Sequence, residues 1–231
     1  AEVANVSEYR KVASVMKLVV EGHAGAGTIE FGGYDYHDST RATGERKDER
    51  AGEAIGAALE YAARKNQDLM IYVFSDGSVG SSGELDNSVD GRGKGIWRGD
   101  DSGTAAAFML VYGRNGRPAL SDPRRQQLGA FRSSGSVETA PGGALTQITN
   151  APSLLAQSVV LNYLALHGRQ GEFGALMSNG ASMLTGNLDE LIAFADEEAS
   201  RRGTSRSGLL AELLEAERVR EQTRVYIDRY G

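Results

Sequence analysis

The sequence predicts an α/β fold, with a mostly parallel sheet flanked by helices and a carboxyl-terminal helical extension. Three observations carry this expectation. Leu69–Phe74 and Ala105–Tyr112 are apolar runs without alternation, the pattern of strands buried on both faces. Segments of helical period fall around them in the order helix, strand, helix, strand, loop, strand, which suits crossover connections. The third is Thr28-Ile-Glu-Phe-Gly-Gly-Tyr-Asp-Tyr-His37, where a short apolar run stops at a double glycine and an Asp and a His follow. Ligand groups collect at such strand ends in α/β folds.

The first helix is expected over Ser7–Gly22, with Val12, Val15, Met16, Val19 and Val20 at helical spacing and a glycine to close it. Thr28–Phe31 reads as a short strand. Glu45–Asn66 is the second helix, with Ala54, Ile55, Ala58, Leu59, Ala62 and Ala63 on one face. The Leu69–Phe74 strand ends at Ser75-Asp76-Gly77, and residues 77–104 are rich in Gly, Ser and Asp and read as a long loop. The Ala105–Tyr112 strand stops at Gly113 and the turn chemistry of Arg114-Asn-Gly-Arg-Pro118. Gly129–Asn150 is polar and irregular. Ala151–His167 is a strong helix entered through Pro152. Gly171–Gly186 is broken by glycines, and Leu188–Tyr230 is helical twice over, interrupted at Arg201–Ser205. Two domains follow from this pattern, residues 1–186 and a helical hairpin at 187–231.

Composition narrows the function. A 231-residue chain that is 40% hydrophobic and 24% charged can bury a real core. Its net charge of −6 argues against a general binder of phosphate backbones, so no nucleic-acid partner is expected. No cysteine is present, which removes disulfides and thiolate metal sites. No apolar run reaches the length of a membrane helix, and no signal-peptide pattern opens the chain. The start at Ala1 leads us to expect a processed chain or part of a longer protein.

Three places could carry chemistry. Asp35 and His37, with Asp38 beside them, could share a divalent ion, or form a strand-end Asx turn and a surface His. Asp76 follows a buried strand, where an acid either caps a turn or points into a ligand crevice. Gly91-Arg-Gly-Lys-Gly95, followed by Trp97 and Asp100-Asp101, makes Arg92, Lys94 and Trp97 binding candidates. The loop could cradle a phosphate, but it has neither the following helix nor the spacing of a phosphate loop, and reads rather as a flexible basic turn.

Placed together, these segments resemble a family. Glu21-Gly22, a strand, then Gly32-Gly-Tyr-Asp-Tyr-His37 is similar to the Gly-Gly-(Phe/Trp)-Asp-Thr-His motif of an uncharacterised secreted, sulfatase-like family of the alkaline phosphatase superfamily. Leu-Met-Ile-Tyr-Val-Phe-Ser-Asp76 resembles that family's strand before Ser-Glu-Phe-Gly-Arg, and Asp101-Ser-Gly-Thr-Ala105 falls where it has Asp-His-Gly-His-Ala. The resemblance covers roughly residues 10–118. It implies helices around a mostly parallel sheet, a metal-assisted phosphate- or sulfate-ester hydrolase ancestry, and a periplasmic or extracellular location. Ser102 and Thr104 stand in place of both histidines of the last motif, Asp76 replaces the Glu, and Gly77-Ser-Val79 replaces Phe-Gly-Arg. Hydroxyls are poor zinc ligands. The remaining set, Asp35, His37, Asp76 and Asp101, suits one Ca²⁺ or Mg²⁺, or a hydrogen-bonded cluster.

In that superfamily the nucleophile precedes this motif, and nothing before Thr28 reads as a strand Asp followed by a Ser or Thr at a helix start. The chain alone is therefore expected to have no catalytic residues of its own. Leu188–Glu215 also resembles the helix pair of ribbon-helix-helix DNA-binding proteins at Arg202-Gly-Thr-Ser-Arg-Ser207. DNA binding is not carried over, because Ala181-Ser-Met-Leu-Thr-Gly-Asn187 has no Lys or Arg to read a groove. Leu209, Leu210, Leu213 and Leu214 form a stripe expected to be buried between copies, in a homo-oligomer or larger assembly. The expected function is a non-catalytic binding or structural subunit on a degenerate metal-hydrolase scaffold, exported and self-associating. The alternative is a metal-dependent phosphate- or sulfate-ester hydrolase whose nucleophile lies outside this chain.

Overall fold

The computed structural model describes residues 2–34, 41–74, 80–89, 91–98, 107–122, 126–149, 151–177 and 183–195. The chain divides into two compact units: Ala1–Arg117 with Gly129–Pro141, and Pro118–Leu128 with Gly142–Gly231.

The first unit is built on two helices, α1 (Glu2–Val20) and α2 (Arg41–Lys65). Val12, Met16 and Val20 recur every four residues on α1, as do Ala54, Ala58 and Ala62 on α2, and these six side chains are buried together. The alanines keep that row of α2 shallow, so the larger side chains of α1 fill the contact. Both helices end in the same way. Gly22 (φ +77°) donates its N–H to the Val19 carbonyl, while the His23 N–H reaches back to Leu18 at 2.8 Å. Asn66 (φ +53°) repeats the pattern on Ala63, with Gln67 on Ala62. These are Schellman closures, in which a left-handed residue lets the last carbonyls find donors.

Two strands, β1 (Leu69–Val73) and β4 (Phe108–Tyr112), lie against the helices, with β2 (Gly80–Asp86) and β3 (Lys94–Arg98) between them in sequence. β1 pairs with β4 antiparallel, Leu69 opposite Tyr112 and Val73 opposite Phe108. β2 and β3 form a separate antiparallel hairpin with a register shift between Ser81 and Leu85. The expectation of a mostly parallel sheet is thus overturned: among the described residues the sheets are two-stranded and antiparallel. The unbroken apolar runs lead us to expect strands buried on both faces, yet only one face of the ribbon packs on the core, and such a run carries no direction. Leu69 and Ile71 pack on the helical core with Tyr112, while Met70, Tyr72, Met109 and Val111 make a second, half-exposed face. No described helix joins β1 to β4, so the crossover rule for parallel strands has nothing to act on.

Thr28–Phe31 is not a strand either. It runs without a ladder partner, yet Ile29 and Phe31 pack against the core while Glu30 stays exposed. A turn closed by the Phe131–Val137 bridge packs on the bulge of β2, where Gly83 (φ +80°) is so close to the Ser134 carbonyl that a Cβ would collide with it.

The second unit centres on α3 (Pro152–Leu166), which carries no charged residue. Leu161, Leu164 and Ala165 bury against Phe173 of α4 (Phe173–Met177) and against Ala144, Leu184, Leu191 and Ile192. The helix expected from Leu188 does not form over 188–195. A 3-10 turn over Leu188–Leu191 gives way to extended backbone that bridges Leu120 to Phe194. Residues 196–231, including the leucine stripe and most of the ribbon-helix-helix resemblance, lie outside the described residues.

Candidate functional site

The double glycine of the Gly32–His37 motif is fixed to α2 by one lysine. Lys47 donates from Nζ to the Gly32 carbonyl at 2.9 Å, and its own carbonyl accepts from the Tyr34 hydroxyl at 2.8 Å. The ammonium also lies 5.9 Å from the Tyr34 ring centroid, within cation–π range. Gly33 sits at φ +79°, a conformation that favours glycine, with Lys47 against the side where a Cβ would point. Burial pushes the Tyr34 phenol above its ordinary value, and the charges of Asp48 and Glu8 add to this. Tyr34 therefore stays a donor at neutral pH. This clasp sets the path of the backbone immediately before Asp35.

Asp35, His37, Asp76 and Asp101 all lie outside the described residues, as do Ser102 and Thr104. Val73 pairs with Phe108, so β1 ends and β4 begins at the same end of the ribbon. Among the described residues, no three His, Asp or Glu side chains gather to hold a metal ion.

Arg92 and Lys94 stand at the tip of the β2–β3 hairpin, both exposed, and Trp97 lies on β3 opposite Ser81. The turn consumes its own donors. Gly91 N–H bonds the Ser88 hydroxyl at 3.0 Å, Arg92 N–H the Ser88 carbonyl at 3.0 Å, Gly93 N–H the Asp86 carbonyl at 2.8 Å, and Lys94 N–H the Gly91 carbonyl at 3.0 Å. A phosphate cradle needs converging free N–H groups. Here they are internally satisfied, which leaves the basic-turn reading of Gly91–Gly95.

Two polar clusters were not anticipated from the sequence. Glu21, at the end of α1, accepts from the Tyr61 hydroxyl at 2.7 Å and from Lys65 at 2.8 Å, with His23 3.7 Å away. Lys65 and Tyr61 hydrogen bonding holds the Glu21 carboxyl down at about 2, and the same contacts raise Tyr61 and Lys65. A phenol held protonated and an ammonium held charged make a brace between helix ends rather than a base. The second cluster lines a cleft of about 300 Å³ formed by Tyr9, Arg46, Glu49, Arg50 and Glu53, in which the Tyr9 hydroxyl bonds Glu53. Helical spacing gave no signal for the Lys47–Gly32 and Lys65–Glu21 contacts, because Gly32 and Glu21 lie outside α2.

No family model, curated protein or solved structure matches the chain. Among the described residues, no helix is long and apolar enough to cross a membrane.

Proposed function

We propose that this chain is a non-catalytic binding or structural subunit, descended from a metal-dependent hydrolase, exported from the cytoplasm and self-associating. The observation that carries the reading is the use made of the double glycine. Gly32 and Gly33 hold the motif's backbone on α2 through Lys47 and Tyr34, which is a packing role. The replacement of two imidazoles by Ser102 and Thr104 supports the same reading from the sequence. The family's parallel scaffold does not accompany it, so the descent rests on the motifs alone. Any ion held by Asp35, His37, Asp76 and Asp101 would be a hard one such as Ca²⁺ or Mg²⁺, on the chemistry of the donors. Self-association is supported by apolar surface: Val160 and Tyr163 of α3 and Leu176 of α4 are exposed.

Elemental analysis of the purified chain, with phosphate- and sulfate-monoester assays, tests the reading. No stoichiometric zinc and no turnover are expected. Turnover that disappears in Asp35→Ala would establish the hydrolase reading instead. Light scattering on Leu210→Glu/Leu213→Glu tests assembly, and an unchanged monomer before and after would remove self-association from the proposal.

A further inference from the structure

The turn that follows β4 carries a chemistry the proposed function does not use. Gly113–Gly116 is closed by the Gly116 N–H to the Gly113 carbonyl at 3.1 Å. Its first half is anchored, because the Arg114 N–H bonds Asp68 Oδ1 at 2.8 Å and the guanidinium reaches the Asn66 carbonyl at 3.3 Å. Its second half has no anchor beyond that Gly116 N–H bond. Arg114–Arg117 are exposed, no hydrogen bond among the described residues holds the Asn115 amide, and a Cβ at Gly116 (φ +127°) would meet nothing within 4 Å.

We propose that Asn115–Gly116 is a site of spontaneous deamidation, a self-modification that needs only water. The Gly116 backbone nitrogen loses its proton and attacks Asn115 Cγ. The new N–Cγ bond closes a succinimide, and the side-chain nitrogen leaves as ammonia. Water then opens the ring at one of its two carbonyls, giving aspartate or isoaspartate. Two features favour the step. Glycine puts no side chain in the path of attack, and exposure admits water. None of the other described asparagines is followed by glycine: Asn5, Asn66 and Asn87 precede Val6, Gln67 and Ser88. Asn162 is fully buried, hydrogen-bonded through both amide atoms and followed by Tyr163. Asn187 caps the Asp189 N–H and is followed by Leu188. The product places a carboxylate between two arginines, and as isoaspartate it lengthens the main chain just before it passes into the second unit at Pro118.

The test is to age the full chain in mildly alkaline buffer, digest it with a protease that cuts before aspartate, and follow the peptide containing residue 115 by mass spectrometry. The expected result is an amide-to-acid mass gain at that residue, mostly as isoaspartate, which blocks the new cleavage that aspartate would create. Asn115→Gln, whose longer side chain does not close the five-membered ring, should show no gain there. No gain in the native chain, while the urea-unfolded chain converts, would overturn the proposal by showing that the turn hydrogen bond protects the site. Equal conversion at Asn162 and Asn187 would overturn it by removing the selectivity.

Discussion

Asn162 Oδ1 accepts the backbone N–H of Ala193 at 2.8 Å, joining the middle of α3 to an extended segment far along the chain. The same side chain donates from Nδ2 to the Leu191 carbonyl at 2.7 Å and to the Ser158 carbonyl at 2.8 Å. Asn162 is 0% exposed, so two polar backbone groups outside the helix, the Ala193 N–H and the Leu191 carbonyl, depend on one buried amide. Ser121 works on the next residues from the other side, donating from its hydroxyl to the Ile192 carbonyl at 2.7 Å.

Replacing Asn162 with Leu should therefore destabilise the second unit more than its volume change suggests. The substitution adds apolar atoms but strands the Ala193 N–H and the Leu191 carbonyl away from water. Each unmet buried group costs about 1–3 kcal/mol. Urea unfolding followed by tyrosine fluorescence should show a loss of roughly 2–3 kcal/mol. A loss under about 0.5 kcal/mol would mean that the amide is not what orders residues 191–193.

This clamp also explains part of what the sequence concealed. Leu188–Ala195 has the spacing of an amphipathic helix, yet Asn162 and Ser121 capture its carbonyls before a second turn can form. Local pattern had no access to partners so far away in the chain. The helix ends were more legible, because Gly22 and Asn66 act through their own backbone conformation. The apolar runs of β1 and β4 marked strands but neither their direction nor how deeply the second face is buried, since an apolar run does not say what covers it. At the candidate site the motif glycines were legible and Lys47 was not. A lysine on a helical surface reads as solvated until the segment that meets it is known.

Acid should weaken the brace between α1 and α2. The Glu21 carboxyl titrates at about 2 in the folded chain against an ordinary 4.5, because Lys65 and Tyr61 hydrogen-bond the charged form. A folded value below the unfolded one means that this contribution is fully present above about 4.5 and is lost as pH falls towards 2. Glu138, held at about 2 by Arg132 and the Ala140 N–H, behaves in the same sense. Thermal melts across that window should show a falling midpoint, with a shallower fall in Glu21→Gln. An identical slope in wild type and variant would remove Glu21 from the account.

Lys47→Met should loosen the motif without unfolding the unit. The variant keeps the apolar stem and loses the donor to Gly32, an exposed contact worth about 0.5–1.5 kcal/mol at most. Amide exchange over residues 31–34 should accelerate, while exchange in the Ala54–Ala62 stretch of α2 changes little. Uniform acceleration through both regions would indicate a global effect and contradict the local clasp.

Two glycines with nearly the same backbone angle separate conformational cost from collision. Gly83 and Gly93 sit at φ +80° and +76°, so alanine at either one carries the left-handed penalty of about 1–2 kcal/mol. At Gly93 a Cβ meets nothing within 4 Å, and that penalty should be the whole effect. At Gly83 the Cβ would run into the Ser134 carbonyl, a backbone atom that cannot rotate away, and Gly135 lies against the same spot. Gly83→Ala should therefore lose clearly more stability than Gly93→Ala, and its surplus should appear as faster amide exchange in the turn closed by Arg132 and Ser136. Equal losses at the two positions would show that the turn yields freely, and that its close approach to the β2 bulge contributes nothing to the stability of the unit.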